Sequence, residues 1–389
     1  MRHQPSVFEE VLQPLSWPAF DRLVAHHQAD RRSRDFDSRD HLLAILGSAL
    51  GGLQGLRQTV AGLQPGRGPL RLLGYKTPSR STLAEANQTR PAALFMDLLQ
   101  TLVGTLQRSQ RRDMADAIRL IDSTQINLGR RCQSWLGLHQ GEPAAKLHVL
   151  YDPRADQPIY FALTSARVND ITAAKEIQID LGATYVFDLG YYDFGWWARL
   201  RDANCRIVTR LKRNTPINYI ESHRVAPGSN VRSDRTGYLP ARLAASRRNP
   251  FQAICREVTV EISTGRILRL FTNDLESPAE AIAELYKERW QIELFFKWIK
   301  QNLRISRFMG NSENAVRIQI ATALIAYILI RLAHAKQAAI RPFAIILTVI
   351  RGQLFTRKPL ARLLDPPKRQ KKIHDPQLSL FPSKCRAGQ

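Results

Sequence analysis

At 389 residues the chain is long enough for two or three domains and a sizeable core, and 44% apolar residues exclude disorder throughout. A net charge of +23, spread over the whole length, points to a polyanionic partner, nucleic acid before a membrane surface. Cys132, Cys205, Cys255 and Cys385 form no CxxC pair, so neither a zinc site nor a disulfide framework is suggested and a reducing compartment is expected.

Met1 to Glu10 contain no apolar signal core. Apolar residues then recur at helical spacing in Phe8–Leu12, Trp17–Val24, His41–Leu46 and Ala93–Leu99, with a turn at Gln64–Pro69. Ser81–Asn87 looks like a helix start, and Thr82-x-x-Glu85 fits a capping box. Residues 1–110 are therefore expected to form a helical N-terminal domain. It reads either as a helix-turn-helix-like DNA reader or as a bundle used for packing or dimerisation.

From Ala117 the pattern changes to strands: Ala117–Ser123, Lys146–Asp152 and Pro158–Thr164. A helix is expected from Asn169 to Leu181, a strand at Thr184–Leu189, a helix through Trp196–Leu200 and a strand at Arg206–Leu211. This order matches a ribonuclease-H-like mixed α/β sheet over residues 111–310, interrupted by a β-rich insertion at about 213–272. Pro278 opens a long helix, with Ser277 as the expected N-cap. Residues 311–389 are expected to hold C-terminal helices and a basic tail with Lys368–Lys372. The apolar run Ile318–Ile330, about thirteen residues, is shorter than the ~20 of a membrane span and reads as a buried helix.

The long helix carries Tyr286, Arg289, Glu293 and Lys300, spaced three, four and seven apart. At about 100° per residue they share one stripe roughly 60° wide, beside an apolar stripe of Leu285, Ile292, Phe296 and Ile299. Upstream, Asp122 closes the expected strand Ala117–Asp122, and Asp188 ends Thr184–Asp188 before Gly190. A charged side chain at the end of an apolar strand is costly unless paired or coordinated. Two acidic strand ends and Glu293 on a packed helix make an oxygen-rich site suited to Mg²⁺ or Mn²⁺. Two such ions can activate a water or a 3′-hydroxyl and stabilise the leaving oxygen of a phosphodiester. Singly, each residue has a plainer reading. Asp152 reads as a turn residue, Asp193 competes with Asp188, and Glu293 alone would pair with Lys297.

The order Asp122, Asp188-Leu-Gly-Tyr191, then Tyr286-x-x-Arg289-x-x-x-Glu293-x-x-x-x-x-x-Lys300 resembles the DDE transposases of bacterial insertion sequences. The last element resembles the Tyr-Arg-Glu-Lys signature of insertion-sequence family four. Arg80–Asn87, Thr209–Asn214, Thr272-Asn273 and Phe308–Val316 extend the resemblance over roughly residues 5–335. It implies a metal-binding catalytic triad of Asp122, Asp188 and Glu293, with Tyr286, Arg289 and Lys300 as phosphate contacts near the cleaved end. Trp290 either stacks on a displaced base or packs under the helix. His148 is a minor phosphate contact or a structural histidine. Lys212 and Arg213 line a DNA path or a solvated loop.

The leading expectation is a transposase cutting transposon ends and joining them to target DNA. It would act as a homodimer on its terminal inverted repeats, in the cytoplasm on the nucleoid and away from any membrane. A DNA-binding protein without catalysis, such as a decayed transposase or repressor, and a nuclease of the same fold are the alternatives.

Overall fold

A computed structural model describes residues 4–64, 70, 73–109, 117–128, 132, 137–139, 142–242, 247–303, 308–336 and 343–364. Most of the Gln64–Pro69 turn, Cys385 and the basic run Lys368–Lys372 lie outside them.

Among the described residues the chain begins with six helices: α1 (Val7–Leu12), α2 (Trp17–His26), α3 (Ser38–Gly51), α4 (Gly55–Gly62), α5 (Arg80–Thr89) and α6 (Ala92–Ser109). The first is closed by a reciprocal capping box between Ser6 and Glu9, which satisfies N–H groups at both positions. The expected box at Thr82–Glu85 is not formed. The cap lies three residues earlier, where Ser79 accepts the Thr82 N–H at 3.1 Å.

Strands β1 (Ile118–Asn127), β2 (Gly137–His139), β3 (Glu142–Asp152) and β4 (Gln157–Ser165) follow. The short helix α7 (Asp170–Ala174) replaces the longer one expected up to Leu181. Then come β5 (Thr184–Val186), a single 3₁₀ turn (Leu189–Tyr191), α8 (Phe194–Asp202) and β6 (Arg206–Arg210). β1 pairs antiparallel with β3, and β3 with β4. On its other side β1 pairs parallel with β5, and β5 with β6. Three antiparallel strands and two parallel ones thus form one mixed sheet.

The segment read as an interrupting insertion continues this sheet. Strands β7 (Asn218–His223), β8 (Val231–Tyr238), β9 (Ile254–Glu261) and β10 (Ile267–Thr272) form an antiparallel meander, and β10 pairs with β6. Among the described residues the sheet has ten strands, in the order β2-β3-β1-β5-β6-β10-β9-β8-β7 with β4 beside β3. At Gly237 a Cβ would lie 2.4 Å from the Asn218 carbonyl oxygen, so the β7–β8 approach admits no side chain.

Strand alternation separates two cores. Ile121, Tyr185, Phe187 and Ile207 point to one face, where Trp196 and Trp197 of α8 cover them. Leu120, Val186 and Val208 point to the other, where α9 (Ala279–Glu288) and α10 (Trp290–Asn302) pack with Ile282, Ile292, Phe296 and Ile299. The latter core is continuous with that of the N-terminal helices and of α11 (Glu313–Lys336), α12 (Phe343–Gln353) and α13 (Leu360–Leu364). α11 is long and apolar enough to cross a membrane, yet most of it is buried in this core, as the run Ile318–Ile330 suggested. Asn314 joins the layers. Its amide donates to the Asn87 and Arg90 carbonyls at 3.0 and 2.6 Å and accepts the Ala92 N–H at 3.0 Å.

Candidate active site

β1 runs to Asn127 because β3 keeps it paired beyond Asp122, so Asp122 lies within the strand and does not end it. Its pairing with β5, however, stops at Leu120↔Val186. Asp122 and Asp188 each lie two residues beyond that pair, on parallel chains. Both therefore point to the face carrying Leu120 and Val186. Beyond β5 the chain turns. Asp188, still extended, accepts the Gly190 N–H at 2.8 Å and caps the 3₁₀ turn.

The long helix is not capped by Ser277. That side chain donates to Asp274 at 2.6 Å, and Pro278 occupies the cap position without a side-chain bond. The helix is interrupted at Arg289, between α9 and α10, where the Arg289 N–H bonds the Tyr286 carbonyl at 3.3 Å in a tightened turn. From this junction Arg289 donates to Asp122 Oδ2 at 3.2 Å and to Glu293 Oε1 at 2.5 Å. One guanidinium thereby draws the strand carboxylate and the helix carboxylate together.

Burial pushes the Asp122 carboxyl up to about 7. The Ser123 N–H and Arg289 oppose that rise, while the charges of Asp188 and Glu293 add to it. Burial, then the charges of Asp122, Asp170 and Asp188, also raises the Tyr191 phenol, which is fully buried beside them. Among the described residues no three acidic, histidine or cysteine side chains already stand as a metal cage. The donor chemistry nonetheless suits a hard divalent ion: carboxylate oxygens only, with a cationic group already held between two of them.

The other expected residues divide. Tyr286 is three residues, just under one turn, before Arg289, whose guanidinium carbon lies 5.9 Å from its ring centre. Trp290 is 59% exposed, which removes the packing reading. Lys300 is half-buried in the last turn of α10, where burial lowers its pKa. Seven residues on, it stands about 10 Å along the helix from Glu293. Exposed Lys212 is held over the Tyr192 ring at 4.5 Å. His148 is a structural histidine. It is buried within the sheet, bonds Thr164 Oγ1 at 2.8 Å, and burial lowers its pKa to about 4. Asp152 accepts the Arg154 and Ala155 N–H groups as a turn residue. Asp193 caps α8 and pairs with Lys175, so it does not compete with Asp188.

Sequence reading missed Asp170, which bonds Ser123 and Lys146 beside the Asp188 turn. Its place after Asn169 looked like an ordinary helix start. Also unread was a groove of about 670 Å³ beside Arg289, between β9–β10 and α9, lined by Arg210, Arg266, Leu268, Tyr286, Lys287 and Trp290.

Residues 114–329, spanning all of these side chains, match the family described as transposase DDE domain. The chain belongs to the transposase DDE-domain family. This transposase is 40% identical to a protein named as transposase y4zB in Sinorhizobium fredii, over 75% of this chain and 82% of that one. It is 29% identical to a protein named as the transposase of insertion sequence element IS5377 in Geobacillus stearothermophilus, over 64% and 66% of the two chains. Residues 3–76 match a domain of unknown function (DUF4372). A cryo-EM structure of a piggyBac transposase synaptic complex with hairpin DNA aligns with a TM-score of 0.43 and 9% identity, covering 100% of this chain and 87% of that one. As a DDE transposase the chain is an enzyme that acts on DNA, in a family that in general requires a divalent metal.

Proposed function

We propose that this transposase cleaves transposon ends and joins them to target DNA at Asp122, Asp188 and Glu293, which hold Mg²⁺ or Mn²⁺. The observation that carries the reading is the convergence of the three on one sheet face. Asp122 and Asp188 leave the β1–β5 pair in step, and Arg289 ties Asp122 to Glu293. Metal ions bound there would polarise the phosphodiester and activate the attacking oxygen. The protein's share is placement, with three carboxylates fixed by a sheet and a helix that share a core. The strand pairing supports a ribonuclease-H-like catalytic domain.

Tyr286, Arg289, Lys300, Trp290 and Lys212 are proposed DNA contacts. Support comes from the basic-rimmed groove beside Arg289 and from the exposure of Trp290 and Lys212. α5 presents Arg80, Ser81 and Gln88 to solvent, in keeping with DNA binding by the N-terminal helices. The Tyr-Arg-Glu-Lys spacing supports membership of insertion-sequence family four. Two ends brought together would call for a homodimer on the terminal inverted repeats.

The test is metal-dependent nicking of a duplex carrying the inverted repeats that flank the coding region. Asp122→Ala, Asp188→Ala and Glu293→Ala are each expected to lose cleavage by at least ~10³-fold while gel-shift binding persists. Full cleavage by any one of them sinks the three-carboxylate assignment. Joining of a pre-cut end to a plasmid separates a transposase of this mechanism from a nuclease of the same fold.

A further inference from the structure

Asp170 lies outside the three carboxylates, yet it touches the elements that carry two of them. Its Oδ1 accepts the Ser123 hydroxyl at 2.6 Å, and the Ser123 N–H in turn donates to Asp122 Oδ1 at 2.7 Å. A chain of two hydrogen bonds thus runs from Asp170 to Asp122. The other oxygen faces the Asp188 turn. A Cβ placed on Gly190 would lie 3.2 Å from Asp170 Oδ2 and 3.0 Å from Asp188 Oδ1, and the Gly190 N–H is what Asp188 accepts. A side chain there would press on both carboxylates, each of which would have to give by a few tenths of an ångström.

The Asp170 charge has its own counter-ion. Lys146, on β3, approaches Oδ1 at 3.2 Å and is anchored by the Val168 carbonyl at 3.0 Å. Buried His148 turns Nδ1, which has no hydrogen-bond partner, toward the same oxygen at 3.7 Å. Asp170 is therefore held from the β3 side while it reaches β1 and the Asp188 turn. A plain sheet-edge ion pair would need Lys146 alone, without the bond to Ser123 or the approach to Gly190.

We infer that Asp170 is a positioning residue that sets the spacing of Asp122 and Asp188, and through it the affinity of the site for a divalent cation. The inference rests on the three-carboxylate reading above. Groups that orient metal ligands from behind typically change metal affinity 10–100-fold when removed.

The experiment measures Mn²⁺ binding to the purified full chain, by the electron paramagnetic resonance signal of free Mn²⁺, alongside the Mn²⁺ midpoint for nicking. Asp170→Asn is expected to weaken Mn²⁺ binding at least tenfold and to move the nicking midpoint by a similar factor, with gel-shift affinity unchanged. Ser123→Ala is expected to shift both in the same direction. The double variant should be no worse than Asp170→Asn, because both substitutions weaken one chain: Asn keeps an acceptor for Ser123 but gives up the charge that Lys146 holds in place. Unaltered Mn²⁺ binding in a folded Asp170→Asn protein overturns the inference, as do additive effects in the double variant. Should Asp170→Asn fail to fold, Ser123→Ala decides alone: unaltered Mn²⁺ binding there also overturns it. Asp122→Ala is the separating control. If it binds Mn²⁺ and nicks like the wild type, the three-carboxylate reading has failed, whereas failure confined to Asp170 leaves that reading standing.

Discussion

Arg289 is the residue that ties the carboxylate site together. Its guanidinium spans Asp122 and Glu293, and both ends of the Asp122 pair are largely buried, at 16% and 17% side-chain exposure. Only a planar fork serves two carboxylates at once in this way; a lysine offers a point charge. Removing one member of a buried pair typically costs 3–5 kcal/mol, and Glu293 at 33% exposure is partly screened by solvent. Arg289→Ala is therefore expected to lose about 2–4 kcal/mol of stability in chelator. Mn²⁺ bound at the proposed triad would supply the missing positive charge, so its addition should raise Tm more in the variant than in the wild type. Equal metal-induced shifts, read by thermal denaturation, would show that the guanidinium and the ion do not share these carboxylates. The Tyr-Arg-Glu-Lys spacing placed Arg289 beside Glu293 at helical separation. It carried no sign that the side chain also reaches Asp122, because that contact depends on how a helix lies across a strand 167 residues away.

Among the elements, the N-terminal helices hold a pH-sensitive joint. His41 of α3 is buried and joins α5 through Asn87 Oδ1 at 2.8 Å, and Arg90 stands near enough to oppose a second positive charge. Burial first, then Arg90, lowers the His41 pKa to about 3 from an ordinary 6.5. The unfolded chain then binds the extra proton between those values, so stability is complete above about pH 6.5 and falls as the pH drops toward 3. The loss should reach about 2 kcal/mol at pH 5, since one pKa unit corresponds to about 1.4 kcal/mol. His41→Gln keeps a partner for Asn87 without the titration. Its denaturant midpoint should change less than that of the wild type between pH 7 and 5, and parallel pH dependences would refute this origin. Element type was legible wherever periodicity was strong. The segments leading to Asp122 and Asp188 read as short, apolar, β-rich runs, and Ile292, Phe296 and Ile299 recurred as a packed helix face. What stayed hidden depended on pairing. β1 continues past Asp122 because β3 lies beside it, and the 213–272 segment joins the main sheet because β10 finds β6. Asp170 was missed for the same reason: its partners Ser123 and Lys146 come from two other strands.

At the scale of the whole molecule, not all of the 57 lysines and arginines are available to DNA. Arg119 pairs with Asp152 and Asp180, Arg256 with Asp234, and Arg269 with Glu257, all within the fold. These cations hold the sheet together and release few counter-ions when a polyanion binds. The exposed cations that line the groove are different: Arg266 and Lys287 stand on its rim beside the Arg289 junction. If DNA follows that rim, binding should weaken by about 10³–10⁵-fold between about 50 and 200 mM salt, as six to ten phosphate contacts would require. Each lost contact should lower the slope of log K against log salt by about 0.9. The Arg266→Ala/Lys287→Ala double variant is therefore expected to show a slope reduced by nearly 2, while Arg256→Lys, inside the fold, should leave it unchanged. Gel-shift titration at five or so salt concentrations (~50–200 mM) reads both. A slope that ignores the rim pair would move the DNA path off this groove. A slope that responds to it would tie the charge of the chain to the face where Asp122, Asp188 and Glu293 converge.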